Sequence, residues 1–145
     1  MADLDDVRRI AAADDHLAVF AVARKDGSVQ ASVVSAGLIA DPVDGSSSVG
    51  VVAGGGTAKL ALLRANPLAT IVFKRGFDWV AVTGSVRLVG PDEPVAMDLD
   101  VPATIRSIFV AAGGTHDDWD GFDRVMAQER RCAIFVHADT MTSNR

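Results

Sequence analysis

Short apolar runs separated by tight turns dominate the chain, and this pattern most constrains its fold. Six runs rich in β-branched residues are predicted strands, at residues 17–24, 28–36, 48–53, 69–74, 77–89 and 132–138. Asp26-Gly27 between the first two runs is a strong hairpin-turn signal, and Arg75-Gly76 separates the fourth run from the fifth. Strands joined by hairpins pair antiparallel, so the sequence predicts a mostly antiparallel sheet.

Three or four helices are predicted between and around these strands, with N-caps at Asp3, Thr57 and Thr115. The helix after Thr57 must end near Asn66, because Pro67 disfavours the α conformation in the residue before it. Gly84 inside the longest run indicates a bulge or a bend at a barrel corner. The predicted fold class is mainly β with peripheral helices, in which about six strands close into a barrel.

Length and composition predict the number of domains, the classes of partner and the cellular location of the chain. Its length of 145 residues predicts one domain spanning residues 1–145. A net charge of −5 and a pI near 5.0 argue against nucleic acid or an anionic membrane as a partner. No signal peptide is evident, and no apolar run approaches the roughly 20 residues of a membrane span. The single cysteine, Cys132, fits a reducing compartment, so a cytoplasmic location is predicted.

The segment Gly54-Gly55-Gly56-Thr57-Ala58-Lys59 lies between a predicted strand and a predicted helix and is the strongest candidate for a binding site. It does not match the nucleotide P-loop, because Leu60 rather than serine or threonine follows the lysine. With Thr57 as N-cap, Lys59 would sit at the positive end of the helix, where a cation is unfavourable by roughly 0.3–1 kcal/mol. Free backbone N–H groups, flexible glycines and a lysine together favour an anion site over a solvated loop.

The other candidates are weaker. Residues 115–120 (THDDWD) gather possible metal ligands, yet a capped helix with acidic residues in its first turn accounts for them, and no metal site is predicted. Cys132 begins an apolar strand, which favours a buried structural thiol over a nucleophile. Phe77 and Trp79 alternate along one strand and therefore share a face, where they would pack in the core or stack on a flat ligand. No catalytic residue can be named from these patterns.

The order of motifs resembles the pyridoxamine-5′-phosphate-oxidase-like (PNPOx-like) split β-barrel proteins, which include FMN-binding proteins. The matching segments are GSVQASVV, GGGTAKLALLRANPLATIVF, GFDWVAVTGSVRLVGPDEP and GGTHDDWDGFDRVMAQERR, followed by a last strand ending in TSN. More narrowly, they are similar to actinobacterial flavin/deazaflavin oxidoreductases that use coenzyme F420. The resemblance covers about residues 5 to 144 and is most specific in the GG-x-H-x-DWD segment.

The resemblance implies a homodimer that binds its cofactor in a groove at the subunit interface. It implies that the second strand runs beside the deazaflavin ring and that the loop before the second helix holds the phosphate. It further implies that two aromatic residues reach the cofactor from the partner chain and that an arginine contacts the acidic F420 tail. Residue by residue, the implied contacts are Gln30, Ala31, Ser32 and Val33 for the ring, Thr57, Ala58 and Lys59 for the phosphate, Phe77 and Trp79 across the interface, and Arg130 for the tail.

The chain departs from the family pattern in the phosphate segment. Thr57 stands where the family commonly has arginine, Leu62 where many members have asparagine, and Trp79 where a tyrosine is usual. Loss of one charge-assisted contact weakens binding by about 1.5–3 kcal/mol. Three functions therefore remain open: an F420-dependent reductase of an unsaturated small molecule, an FMN-binding oxidoreductase of the same fold, and a non-catalytic carrier of a deazaflavin or another planar anion.

Overall fold

A computed structural model describes residues 1–94 and 99–145 of the chain. Its helices are α1 (Leu4–Ala13), α2 (Ala58–Ala65), α3 (Val101–Ala111) and α4 (Trp119–Gln128). Its strands are β1 (Leu17–Ala23), β2 (Val29–Ser35), β3 (Gly37–Ala40), β4 (Ser47–Ala53), β5 (Leu68–Arg75), β6 (Asp78–Val89), β7 (Cys132–His137) and β8 (Thr140–Ser143). The mainly β class is confirmed, but the expectation of about six strands is wrong, because the sheet has eight.

The strands form one antiparallel sheet in the order β2-β1-β5-β6-β7-β4-β3, with β8 pairing β6 beside this path. Strand β6 connects its two halves. Its first eight residues pair with β5, from Asp78 to Ser85. Its last four pair with β7, from Val86 to Val89. The long strand predicted from the sequence is therefore the element shared by both halves of the split barrel.

Gly84 lies where β6 passes from one set of partners to the other. A Cβ at this position would lie 1.9 Å from the carbonyl oxygen of His137, which no side chain tolerates. Glycine occurs inside a strand where another backbone approaches closely, as well as at bulges and sharp bends. The glycine predicted to mark a corner thus allows β7 to approach β6.

Two groups of buried side chains hold the helices to the sheet. The larger fills the inside of the barrel and includes Phe20, Ile71, Phe73 and Val82, and Leu60 and Leu63 of α2 pack against it. The smaller lies between the second half of the sheet and α3 with α4, and its members include Val89, Ile105, Ile108, Phe122 and Phe135. Since the helices α3 and α4 pack on this second face, they also form one wall of the groove described below.

The outward face of the first half of the sheet carries small and apolar side chains. In β1 and β2, Val19 lies opposite Val33 and Ala21 opposite Ala31, on the side away from buried Phe20. Val33 is 69% exposed. In β5 and β6, Val72 lies opposite Ala81 on the same outward side. We call this surface the outer sheet face.

Helix starts follow the predicted caps with one exception. Asp3 caps α1, and its side chain and that of Asp6 form a reciprocal capping box. Thr57 is the N-cap of α2, although its side chain makes no capping hydrogen bond. The prediction for α4 is wrong, because Asp118 rather than Thr115 caps it, accepting from the backbone N–H of Gly121.

Candidate functional site

A groove of about 460 Å³ lies between the edge strand β2, the loop that links β4 to α2, and the helices α3 and α4. Its walls are mostly apolar, and its basic side chains come from two separate elements. The lining residues are Val33, Val34, Ser35, Val52, Ala53, Gly54, Thr57, Lys59, Ile108, Phe109, Ala112, Phe122, Met126 and Arg131. An apolar groove with a few cationic groups suits a planar ligand that carries negative charge.

Lys59 is the cation nearest the head of α2. It is the second residue of that helix and half-buried, and its ammonium lies 5.0 Å from the centre of the Phe20 ring. Burial lowers the pKa of Lys59, and none of the carboxylates in residues 1–94 and 99–145 forms an ion pair with it. A half-buried ammonium without a counter-ion is a site at which an anion binds favourably.

The glycines before α2 position the loop tightly against the end of α4. The N–H of Gly55 donates to the carbonyl of Glu129 at 3.0 Å, and a Cβ on Gly55 would lie 2.6 Å from the carbonyl oxygen of Arg130. Gly56 has a φ of +77°, in the left-handed region that favours glycine. Thr57 follows with an exposed side chain. The loop is therefore fixed in place, and Gly54, Thr57 and Lys59 line the same groove.

Strand β2 has two buried polar atoms that form no hydrogen bond with any group in residues 1–94 and 99–145. These atoms are Ser32 Oγ and Gln30 Oε1. Ser32 and Gln30 lie opposite Phe20 and Val22 of β1, on the inward side of the sheet. Neither residue is among those that line the groove, so their predicted contact with a cofactor ring stays a prediction. Ala31 lies on the outer sheet face, and Val33 lies on that face and also lines the groove.

The two arginines at the end of α4 differ in their surroundings. Arg130 is paired with Asp92, to which its Nε donates at 2.8 Å, and it lines a separate cavity with Pro91 and Ile105. Arg131, which the sequence interpretation did not single out, lines the groove itself and donates from Nε to Glu129 at 3.0 Å. The predicted role of Arg130 stays a prediction, and the structure adds Arg131 as the arginine on the groove.

Phe77 and Trp79 do not line the groove within the same chain. Phe77 lies in the turn between β5 and β6 and is 94% exposed. Trp79 is half-buried on β6, where it lies opposite Lys74 of β5. Their predicted contact with a cofactor from the partner chain therefore stays a prediction, and the exposure of Phe77 leaves it available for that contact.

Aromatic side chains of α3 and α4 separate the groove from a second, open cavity of about 570 Å³. Phe109, Phe122 and Met126 line both spaces. In the second cavity the ring of His116 packs 5.4 Å from that of Phe122, and its Nδ1 accepts from the backbone N–H of Asp118 at 3.0 Å. Phe122 and Met126 lie one turn apart on α4, and the packing of the helices brings both to the border of the groove.

A polar cluster that the sequence interpretation missed lies at the far end of β7. Asp41, Asp44 and His137 bring potential ligand atoms within 4.8 Å of one another. Arg87, however, donates from Nε to Asp41 Oδ2 at 2.7 Å, which places a permanent cation beside the carboxylate. Because 96 residues separate Asp41 from His137, no spacing rule could have linked them.

The fold and groove define a split-barrel protein of the PNPOx-like type. No protein-family model matches the chain, and no curated protein matches it. Solved structures with this fold do match, at sequence identities that show the fold alone. None of the helices in residues 1–94 and 99–145 has the length and apolarity needed to cross a bilayer.

Three of these structures show the range of the fold. A conserved hypothetical protein of Mycobacterium tuberculosis is 16% identical, with a TM-score of 0.70 over 99% of this chain and 84% of that one. A PNPOx-related, FMN-binding protein of Nostoc punctiforme is 12% identical, with a TM-score of 0.60 over 95% and 79%. An F420 reductase is 15% identical, with a TM-score of 0.58 over 88% and 90%. The structural neighbours thus include a protein described as FMN-binding and one described as an F420 reductase.

Proposed function

We propose that the chain is an F420-dependent oxidoreductase that works as a homodimer. The observation that carries this proposal is the groove beside β2, which has mostly apolar walls and is also lined by a half-buried lysine that forms no ion pair within residues 1–94 and 99–145. A neighbour of the same fold is described as an F420 reductase, and the motif resemblance points to the same cofactor.

The residues present fit a phosphate-bearing planar cofactor. Lys59 supplies a cation in a partly desolvated setting, and the first-turn N–H groups of α2 supply donors for phosphate oxygens. Ser32 Oγ and Gln30 Oε1 have no hydrogen-bond partner among the described residues, but they lie outside the groove lining, so their contact with a ring rests on the resemblance alone. The Thr57 hydroxyl makes no capping hydrogen bond, so it would donate to the phosphate. It would replace in part the arginine that is common at this position in the family the chain resembles.

The chain's own contribution to the reaction would be to bind, orient and exclude water. Reduced F420, when bound, supplies a hydride for an activated unsaturated substrate, so the protein needs no nucleophile of its own. Lys59 would hold the phosphate and so fix how far the ring extends along β2. Phe109, Phe122 and Met126 would shield the opposite side of the groove from water. Arg131, on the same groove, would attract an anionic part of the cofactor.

The outer sheet face is the proposed dimer interface. Its apolar side chains are Val19, Ala21, Ala31, Val33, Val72 and Ala81. Lys74, two residues along β5 from Val72, lies on the same side. A surface of this kind is more often an interface than bare solvent-facing sheet. A partner packed there would bring its exposed Phe77 and its Trp79 toward the groove, as the resemblance implies.

FMN is the second candidate cofactor, since a neighbour of the same fold is described as FMN-binding. It also has a phosphate and a planar ring but lacks the acidic tail of F420, so it makes less use of a basic group such as Arg131. A non-catalytic deazaflavin carrier is the third candidate, because no acid–base pair lines the groove.

Fluorescence titration of the purified chain with F420 and, separately, with FMN tests the proposal. Micromolar or tighter binding of F420, with weaker binding of FMN, is the expected result. Preference for FMN would move the assignment to the FMN-dependent alternative, and failure to bind either would overturn the function. Tight F420 binding without turnover over a broad panel of enones, quinones and nitroaromatics would favour the carrier.

A further inference from the structure

Ser85, His137 and Asp41 form a hydrogen-bonded relay that the proposed function does not use. Ser85 Oγ lies 2.9 Å from His137 Nδ1, and His137 Nε2 lies 2.6 Å from Asp41 Oδ2. The sheet builds this contact, because Val86 of β6 pairs with Val136 of β7 and the next pair in that register is Ser85 with His137. Ser85 is exposed, whereas the Asp41 side chain is 0% exposed.

Asp41 fixes which nitrogen of His137 carries the proton. Its Oδ1 accepts from the backbone N–H of Val43 at 2.7 Å, and its Oδ2 accepts from Arg87 Nε at 2.7 Å. An ionised carboxylate can only accept hydrogen bonds, so His137 Nε2 must be the protonated nitrogen. In the neutral ring Nδ1 is then unprotonated, and the Ser85 hydroxyl donates to it.

We propose that Ser85 is a nucleophile, activated by His137 and positioned through Asp41, that accepts acyl groups from small activated esters. The three side chains have the roles of a nucleophile, a general base and an orienting carboxylate, which are recognised by geometry rather than by sequence order. Arg87 keeps Asp41 ionised and in place. The activity is independent of the groove beside β2.

The reaction balances without a cofactor. Ser85 Oγ attacks the ester carbonyl carbon while the hydroxyl proton passes to His137 Nδ1. The tetrahedral intermediate collapses, the bond from carbon to the alcohol oxygen breaks, and the imidazolium returns its proton to that oxygen. The products are the free alcohol and an acyl ester on Ser85. Water deprotonated by the same nitrogen then releases the carboxylic acid.

Asp139 restrains this chemistry. The backbone N–H of a nucleophilic serine helps to bind the developing oxyanion, but that of Ser85 donates to Asp139 Oδ2 at 2.9 Å. The carboxylate both occupies the donor and repels negative charge beside it. We therefore expect slow acylation of the wild-type chain and faster acylation once Asp139 is removed.

The test is acylation by p-nitrophenyl acetate, followed by release of p-nitrophenol and by peptide mapping. Hydroxylamine cleaves the serine ester but leaves acetylated lysines intact. Acetyl ester is expected on Ser85 and not on Ser28, an exposed serine whose hydroxyl contacts Asp26 at 2.6 Å and, among the described residues, no histidine. His137→Gln should lower acylation of Ser85 about 100-fold, the low end for general-base catalysis. Asp139→Ala should raise it about tenfold or more, since one oxyanion donor is worth ~10²–10³.

Equal labelling of Ser85 and Ser28, or unchanged acylation of Ser85 in His137→Gln, would overturn the proposal. Faster acylation of Ser85 alone in Asp139→Ala requires a folded protein, because the gain depends on the position of His137. This result would therefore support the proposal even if His137→Gln does not fold. The mapping is also carried out on Val33→Lys, so that a partner chain on the outer sheet face cannot hide Ser85. F420 titration of Ser85→Ala should match the wild type, which separates this activity from the groove.

Discussion

The ammonium of Lys59 lies 5.0 Å from the centre of the Phe20 ring, at the point where α2 begins against the barrel. A cation at the positive end of a helix and partly removed from water destabilises the free protein. The ring face offsets part of this unfavourable energy, but a bound anion would offset more of it. Lys59 therefore links cofactor binding to the stability of the fold.

Lys59→Met should weaken cofactor binding by one to two decades, because a charge-assisted hydrogen bond contributes about 1.5–3 kcal/mol. The same change should leave the free protein as stable as the wild type or more stable, since the desolvated charge is gone. Burial holds the pKa of Lys59 below its usual value, so this destabilisation is present while the amine is protonated and disappears as the pH rises through the lowered pKa. Fluorescence titration and thermal unfolding measure the two effects.

Lys25→Met is the matched control for that experiment, since Lys25 is exposed in the turn between β1 and β2. It should change neither the affinity nor the melting temperature. Equal loss of affinity in both variants would show that overall charge, rather than Lys59, attracts the cofactor.

Gly55→Ala should destabilise the fold by about 1–3 kcal/mol, the range for overpacking a filled site. Its new Cβ would lie 2.6 Å from the Arg130 carbonyl oxygen, which is a backbone atom and cannot move aside cheaply. Gly54→Ala is the control, because its Cβ would lie an ordinary 3.6 Å from the Thr57 methyl group. Chemical denaturation of both variants checks the difference, and comparable stability of the two would contradict the tight loop packing.

Asp41→Asn should lower the free energy of unfolding at pH 7 by about 3 kcal/mol or more, because it breaks a buried ion pair. Burial alone would raise the pKa of Asp41, but hydrogen bonds from His137, Arg87 and two backbone N–H groups outweigh it and hold the pKa at about 2. A lowered carboxyl pKa stabilises the fold above its unfolded value of 3.8, and this contribution is lost as the pH falls toward 2. The difference between wild type and variant should therefore shrink across that window.

Asp44→Asn serves as the comparison for Asp41→Asn. Asp44 is half-exposed, and its Oδ2 lies 3.8 Å from an Arg87 nitrogen, so solvent screens this pair and its loss should change stability much less than Asp41→Asn does. Denaturation curves at pH 7 and pH 3 test both variants, and similar losses at the two pH values would contradict the assigned role of the Asp41 carboxylate.

Val33→Lys should convert the proposed dimer to a monomer, because it places a charge on the outer sheet face where Val33 is 69% exposed. Val110→Lys is the matched control, since Val110 is 55% exposed but lies on α3, away from that face. Sedimentation velocity reports the oligomeric state. A wild-type monomer, or a dimer that persists in Val33→Lys, would rule out this interface.

Cys132 should resist thiol reagents in the folded protein. It is 2% exposed, and burial raises its pKa to about 12, so almost no thiolate forms at neutral pH. Its alkylation by iodoacetamide should therefore follow the rate of unfolding and rise with denaturant. Rapid labelling without denaturant would contradict the buried position that both the sequence pattern and the structure give it.

The parts of the fold that local patterns determine could be predicted from the sequence. Strands β1, β5 and β6 were predictable because apolar alternation and the Asp26-Gly27 and Arg75-Gly76 turns are local signals. Strands β3 and β8 were missed because each is four residues long, too short for an alternation to register, and β8 is mostly polar. Their pairing with β4 and β6 comes from the sheet, not from their own sequence.

The candidate site was predictable only in part, for the same reason. Lys59 and its glycines form a contiguous segment, so their placement on one loop follows directly from the chain. Which arginine lines the groove follows from the ion pair between Arg130 and Asp92, which lies 38 residues away in the sequence. The relay from Ser85 through His137 to Asp41 depends on strand register and on a contact across 96 residues, which no single-sequence pattern encodes.

The shared strand β6 also makes the unfolding of the two halves of the sheet cooperative. Because its first part completes one half of the sheet and its last four residues complete the other, neither half retains its full set of strands once β6 leaves. The two groups of buried side chains should therefore melt together in one transition, and the amides of β6 should exchange with solvent only when the whole chain opens. A cofactor bound in the groove beside β2 would then slow exchange along the whole of β7, although no residue of β7 lines the groove.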